Sequence, residues 1–511
     1  MSSGNVRGPG LVVLLVLVAT VPAYTLVGLG WVIGGVLAVL IALGIGLLAR
    51  RSSLPLLALA TLPAAVLVGS HLVPSPTRYI PIFVIGLALA LAFLRAVRAR
   101  EVGVTTPPRP VIIAVAAYFG WAAVTTPFST SLLTSVLYLA GMVGTLGLAF
   151  VVIPSVLAGR HGRRQVAAAA GLIGGVLAIV GIVLAATGPV SLFGQHLGLD
   201  VLTEVSLGNI RTGLILPRTT GIFDAPAEQA LALAVGLVSI VALRPERLAW
   251  GVLSLVVGLG LMLTLARDGW LAVAGGVLAV LAGTPRARRD TWVALAWAVL
   301  FVGLLGAVTV QLITVAARPD LARDRYGENA ALLPEQAEGS DTVRGGTSLS
   351  GRIPIWVASL DAIAERPLVG WGLGQDPDAI APHLVGADAR FRGLTSHNTW
   401  LRTAVEIGLP GLAAFFAILV ASAWAFSQAV RRGRQRASLE YPGAGPAAAD
   451  RGLLALVGII VALFMAQGFE TLLLGGLNFP SFIWTVALGM VAGGARGSET
   501  SAGGTAEAAR S

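Results

Sequence analysis

Apolar runs of about 16 to 25 residues recur along nearly the whole of this 511-residue chain, and they limit its fold more than any other feature. A helical run of that length spans the hydrocarbon core of a bilayer, where each backbone N–H and C=O must find its partner within the segment. With 56% hydrophobic and only 12% charged residues, the composition lies far from that of soluble domains. The runs fall at about 10–27, 30–48, 53–73, 79–94, 111–127, 131–157, 165–188, 226–243, 248–266, 269–284, 291–315, 403–427, 452–472 and 477–494. They predict an all-α, polytopic integral membrane protein with about 14 transmembrane helices. The number falls to about 12 if the first pair merges into one tilted helix and the weak 111–127 segment lies in the interface.

Arginine placement tests these spans independently. All 35 basic residues are arginine. They cluster at Arg50–Arg51, Arg95/Arg98/Arg100, Arg160/Arg163/Arg164, Arg244/Arg247, Arg286/Arg288/Arg289 and Arg431/Arg432/Arg434/Arg436. Threaded through the spans, every cluster falls on one side, which the positive-inside rule makes cytoplasmic, together with both termini. The same asymmetry accounts for the net charge of +10 without a nucleic-acid partner. The chain has no cysteine, which excludes disulfides, thiolate catalysis and cysteine metal sites. The Ala, Gly, Val and Arg bias matches a GC-rich coding background, so the missing lysine says little about mechanism. The first apolar run is followed by another without an A-x-A site, so no cleavable signal peptide is expected.

Three outward segments are too polar or too long for simple turns: Val190 to Asp224, the tight Arg267–Asp268–Gly269 turn, and Ala316 to Arg402. The expected organisation is then N-terminal helices over 1–190, helices with external arginine-bearing segments over 191–315, and a large external loop with short helices over 316–402. C-terminal helices follow over 403–495, with a low-complexity cytoplasmic tail over 496–511. No internal repeat is evident.

The most informative stretch runs from Ser350 to Leu412. In GRIPIWVASLDAIAERPLVGWGLG, residues Ile353, Trp356, Val357, Leu360, Ile363 and Ala364 recur at spacings of three and four and predict one apolar helix face. Pro354 suits the first turn, and Pro367 ends the helix. Gly370, Gly372 and Gly374 then permit a sharp turn. In SHNTWLRTAVEIGLPGL, Thr395 or Ser396 is the expected cap of a second helix whose first turn carries His397 and Asn398.

Arg267 lies between two apolar runs and has two readings: an interfacial arginine that pairs or snorkels, or part of an anion site. Arg352 sharpens the second, because a cation at a helix start opposes the dipole unless an anion binds both. Arg218, in LPRTTGIFDAP, is a third cation at the same expected depth, and Arg211 a weaker fourth. Arginine suits phosphate because its planar guanidinium binds in a bidentate fork. His397 is either structural or a base, and a helix start is a poor place for an added positive charge. Asn398, Glu406 and Glu470 are candidates to support it, although Glu406 has Arg402 four residues before it as a default partner and Glu470 reads as an intramembrane acid. Asp376–Pro377–Asp378 imitates a metal-binding D-x-D but reads better as a turn. Walker A, H-E-x-x-H and G-x-S-x-G patterns are absent.

The order R-T-T-G-I-F-D-A-P, A-R-D-G-W, G-R-I-P-I-W…P-L-V-G-W-G-L-G…S-H-N-T-W-L…E-I-G-L-P-G-L resembles the O-antigen ligase and polysaccharide polymerase superfamily. The likeness runs from about Arg218 to Val420, and Gly351 to Leu412 is its specific part. It implies a bacterial cytoplasmic-membrane glycosyltransferase that moves a glycan from a polyprenyl-pyrophosphate donor to a glycan or lipid-glycan acceptor at the outer face. No metal or cofactor is implied. It nominates His397 as catalytic and Arg267, Arg352 and Arg218 as pyrophosphate ligands. The family often has Pro-Asn where this chain has Pro226–Ala227, so no role passes to Ala227. A transporter or flippase of lipid-linked saccharides is the alternative. That class favours repeated halves and midplane polar residues, whereas here charge concentrates in outward loops. A non-catalytic scaffold would tolerate loss of His397.

Overall fold

The computed structural model describes residues 31–70, 77–187, most of 190–223, 225–243, 248–284, 352–440, 450–468 and 476–493, with a few positions between them. Helices α1 (Trp31–Leu48), α2 (Leu54–Val68), α3 (Ile80–Arg98), α4 (Arg109–Thr125) and α5 (Leu132–Leu146) lead through a π turn and the short α6 (Ile153–Val156) into α7 (Gly159–Thr187). Then follow α8 (Pro226–Leu243), α9 (Leu248–Thr264), α10 (Arg267–Gly283), α11 (Arg352–Glu365), α12 (Asp376–Ile380), α13 (Thr399–Glu440), α14 (Arg451–Ala466) and α15 (Phe479–Gly493). Among the described residues, seven helices are long and apolar enough to cross a membrane and four more are shorter and apolar. The protein is therefore a helical polytopic membrane protein. The expected spans at 291–315 and, largely, 10–27 lie outside the described residues.

Lipid tails are as apolar as a protein core, so close packing rather than transfer from water holds such helices together. The sequence meets this with small residues at the crossings. At the α7–α8 crossing, a side-chain carbon on Gly174 or Gly236 would sit 2.7 Å from the other's Cα. At the α10–α14 crossing, one on Gly276 would sit 2.9 Å from the Gly458 carbonyl. Helix α8, buried from Gln229 to Ala242, is the centre of this bundle, with α7, α9, α10 and α14 around it. Trp484 of α15 is fully buried, its ring 6.1 Å from that of Phe415.

Arginines tie helix ends together at one end of the bundle. Arg95 donates to the Gly46 and Leu47 carbonyls at the end of α1. Arg163 of α7 pairs with Asp450, which also caps α14 by accepting from the Leu453 N–H at 3.2 Å. The functional stretch lies at the opposite end.

The outward segment after α7, too long for a simple turn, contains strands. β1 (Val190–Leu192) pairs antiparallel with β2 (Gln195–Leu197), and β3 (Val201–Leu207) pairs antiparallel with β4 (Ile210–Arg218). The alternation V-L-T-E-V-S-L before Gly208–Asn209 is a hairpin pattern that a search for apolar runs passes over.

Helix α13 contains the break that seats the external stretch. Ile407 leaves helical geometry at φ −128° and Gly408 adopts φ 72°, two residues before Pro410. The freed backbone is taken up by the glycine-rich loop: Trp371 N–H donates to Val405 at 2.9 Å, Gly372 N–H to Glu406 at 2.8 Å, and Leu409 N–H to Pro367 at 2.8 Å. Gly370, at φ 64°, lies so close that a side chain would strike the Glu406 carbonyl. The other side of the loop meets α5, where Ser135 donates to Leu373 at 2.9 Å. The loop is thus wedged between two membrane helices.

Candidate functional site

His397 sits in the turn that enters α13. Asn398, rather than Thr395 or Ser396, caps the helix: its Oδ1 accepts from the Trp400 N–H at 2.9 Å and the Leu401 N–H at 3.1 Å. His397 consequently precedes the cap instead of standing in the first turn, and its φ is +46°. Left-handed backbone at a non-glycine residue costs roughly 1–2 kcal/mol. The surroundings hold it there from both sides.

On the N-terminal side, Ser396 is clamped. Its N–H donates to Asp376 Oδ2 at 2.7 Å, its hydroxyl reaches the same oxygen at 3.2 Å, and its carbonyl accepts from the Trp356 indole at 3.0 Å. On the C-terminal side, Asn398 Nδ2 donates to the Gly468 carbonyl at 3.0 Å and the Thr399 N–H to the Gln467 carbonyl at 2.9 Å. Thr399 Oγ1 also donates to the Glu470 carbonyl at 3.0 Å. These bonds stitch the segment after α14 to the start of α13.

That stitching brings Glu470 into the site. The sequence places it within a span, but α14 ends at Ala466 and Glu470 lies in the non-helical segment beyond. Its Oε1 accepts from Arg352 Nη2 at 2.7 Å, and its Oε2 lies 3.7 Å from His397 Nδ1. One carboxylate therefore faces both an arginine and the histidine. The Arg352 and His397 side chains remain about 30% exposed, open to a ligand.

Arg267 is the first residue of α10, and Arg352 the first of α11. The expected Arg267–Asp268–Gly269 turn is instead the opening of α10. The turn itself is Leu265–Ala266, with Leu265 at φ +48°, and Gly269 lets α10 pack against Ala230. Burial, and after it the Arg352 charge, lowers the Arg267 guanidinium from its ordinary value, with Asp268 partly opposing them. Each of these two cations opens a helix, where the dipole disfavours it. Arg218 closes β4 opposite Val201, and its side chain lies outside the described residues, as does that of Arg211.

Beneath the turn is a buried charged group. Arg402 Nε pairs with Glu406 Oε1 at 2.7 Å, the expected i,i+4 pair, and both side chains are buried. Asp376 lies in the same field. Burial pushes the Asp376 carboxyl above the ordinary aspartate range, while Arg402, the two Ser396 bonds and His397 pull it back. Asp376 is buried whereas Asp378 is exposed, so the two carboxylates of the D-x-D imitation sit in different surroundings. Among the described residues, no cluster of three or more metal-ligating side chains occurs. Asp376, which the sequence reads as part of a turn, instead opens α12 and clamps Ser396. Its partner is 20 positions away, and the local D-x-D pattern says nothing of that bond.

The apolar face of α11 also differs from expectation. Ile355, Ala358, Ser359 and Ala362 are its buried face, whereas Ile353, Val357 and Leu360 are exposed. Periodicity found the helix, but the apolar face it marks is not the buried one.

A protein-family model described as O-antigen ligase matches residues 250–416, about a third of the chain. The matched stretch includes Arg267, Arg352, Asp376, His397, Asn398 and Glu406, and stops short of Glu470. No curated protein matches the chain significantly.

Proposed function

We propose that this membrane protein, which over residues 250–416 belongs to the O-antigen ligase superfamily, transfers a glycan from a polyprenyl-pyrophosphate carrier to a hydroxyl of a second glycan or lipid-linked glycan. The site end of the bundle faces outward, away from the arginine-rich end. The observation that carries this reading is the Glu470 carboxylate that Arg352 and His397 share at the openings of α11 and α13, with both of their side chains left about 30% exposed. Arg267 and Arg352 each open a helix, where the positive end of the dipole also favours a bound phosphate.

In the transfer, the acceptor oxygen attacks the anomeric carbon as the bond to the pyrophosphate oxygen breaks and that oxygen keeps the electron pair. Attack opposite the leaving group inverts the anomeric centre. His397 takes the acceptor proton. Glu470, 3.7 Å from Nδ1, supplies the countercharge for the imidazolium that forms. Arg267 and Arg352 stabilise the charge that develops on the leaving group. Arg352 keeps further N–H donors for phosphate beyond the one that Glu470 engages.

The test uses purified protein in lipid with a polyprenyl-pyrophosphate-linked oligosaccharide. Arg267→Ala and Arg352→Ala should each weaken donor binding and cripple transfer. Full donor binding by both variants would overturn the reading.

A further inference from the structure

Helix α11 runs across the site end with an apolar stripe turned away from the protein. Ile353, Val357 and Leu360 lie on one helical face, each more than half exposed, and Leu368 just past the helix is more exposed still. Scattered exposed apolar residues are ordinary, but a continuous stripe is not.

Both ends of the helix are fixed to places where membrane helices end. At its start, Arg352 pairs with Glu470, four residues beyond the end of α14. At its finish, Arg366 Nη1 donates at 3.2 Å to the carbonyl of Phe128, the last residue of the span Arg109–Phe128. The next residue, Pro367, accepts from Leu409 at 2.8 Å where α13 resumes after its break. Anchored so, this helix of about 21 Å lies level with the ends of the bundle rather than rising from it. The membrane-crossing helices it is tied to expose apolar side chains of the same kind, Phe128 and Val124 on the span Arg109–Phe128 and Leu409 and Val420 on α13. The stripe is flanked on one side by exposed Asp361 and Glu365, which require water.

We infer that α11 lies in the plane of the membrane, with Ile353, Val357, Leu360 and Leu368 seated at the acyl–headgroup boundary of the leaflet at the site end. Its partner is the lipid bilayer. An apolar face sunk about 5–10 Å into that boundary, with a polar flank above, is the geometry of an interfacial helix. Resting on the proposed function, the seat would hold Arg352 at the depth where a lipid-borne pyrophosphate presents itself.

Because the chain has no native cysteine, single cysteines report without background. Val357→Cys and Leu360→Cys, with exposed Pro382→Cys as the reference, would carry a small fluorophore in phosphatidylcholine–phosphatidylglycerol nanodiscs. Phospholipid with a doxyl group high on the acyl chain should quench positions 357 and 360 several-fold more than 382, and iodide should show the reverse order. Quenching of 357 and 360 by iodide to the level of 382 would overturn the inference. Shielding from both quenchers would also overturn it, and oxidative cross-linking of Val357→Cys would then identify a second copy as the cover. The readout needs no glycan transfer, so it can succeed or fail independently of the catalytic reading.

Discussion

Removing the Asp376 carboxylate should disable the site without emptying it. Asp376→Ala strips the acceptor from the buried Ser396 N–H and from its hydroxyl, at 2.7 and 3.2 Å. A buried donor left without a partner costs roughly 1–3 kcal/mol. The left-handed turn at His397 that this clamp helps hold stores about 1–2 kcal/mol. The two are comparable, so losing the clamp lets the turn relax and moves the imidazole. At about 1.4 kcal/mol per tenfold in rate, kcat should fall roughly 10- to 100-fold. Asp376→Asn keeps an oxygen for Ser396, and its amide takes the place of Oδ1, which has no hydrogen-bond partner among the described residues. It should retain activity within about threefold, because the clamp persists. Ser396→Ala, which spares the N–H bond, should fall between them. The assay is glycan extension by lipid-reconstituted protein, with donor binding and thermal melting as controls for the fold. Equal loss in Asp376→Asn and Asp376→Ala would show that charge rather than the clamp matters, and full activity in Asp376→Ala would refute the clamp altogether.

Other outcomes follow from the same geometry. Lysine at Arg267 or Arg352 should restore transfer only partly relative to alanine, since a point charge lacks the planar fork; wild-type rates in both lysine variants would reduce these residues to simple charge. Glu470→Gln should slow transfer about tenfold, the difference between a charged and a neutral hydrogen-bond partner, without weakening donor binding; weaker binding would place Glu470 on the donor side. Burial raises the Asp376 carboxyl in the folded state, so its proton contributes stability below the ordinary aspartate range that is lost as pH rises through the raised value. Melting temperatures of the wild type should therefore fall more steeply across that window than those of Asp376→Asn, and parallel curves would contradict this. Exposed Val385→Cys should react with an impermeant thiol reagent in intact cells and exposed Ser52→Cys should not; the opposite pattern would invert the topology.

The sequence carried most of the membrane architecture, because apolar length and arginine placement are local quantities. It located α11 through its prolines and periodicity, and the break in α13 has its signature in Gly408 and Pro410. What it missed are relationships across the chain. Whether a helical stripe faces core or lipid depends on neighbours, and for α11 the buried face holds only Ile355 among large apolar residues. Asp376 holds the His397 turn through the Ser396 N–H, 20 positions away, a backbone group that any residue carries. Glu470, already a candidate in the sequence, meets His397 from 73 positions away because α14 ends at Ala466 and not beyond it. The cap at Asn398 was misjudged because Thr395, Ser396 and Asn398 are all competent, and the bond to Gly468 selects among them.

The central claim is that His397 serves the acceptor while the arginines serve the donor. Purified His397→Ala, reconstituted in lipid, separates the two when binding of the lipid-linked donor and appearance of extended glycan are measured on the same preparation. A general base contributes about 10²–10⁴ in rate. Extension should fall by that factor while donor affinity stays at the wild-type level. Retention of both would make the histidine structural, and loss of both with the fold intact would assign it to the donor.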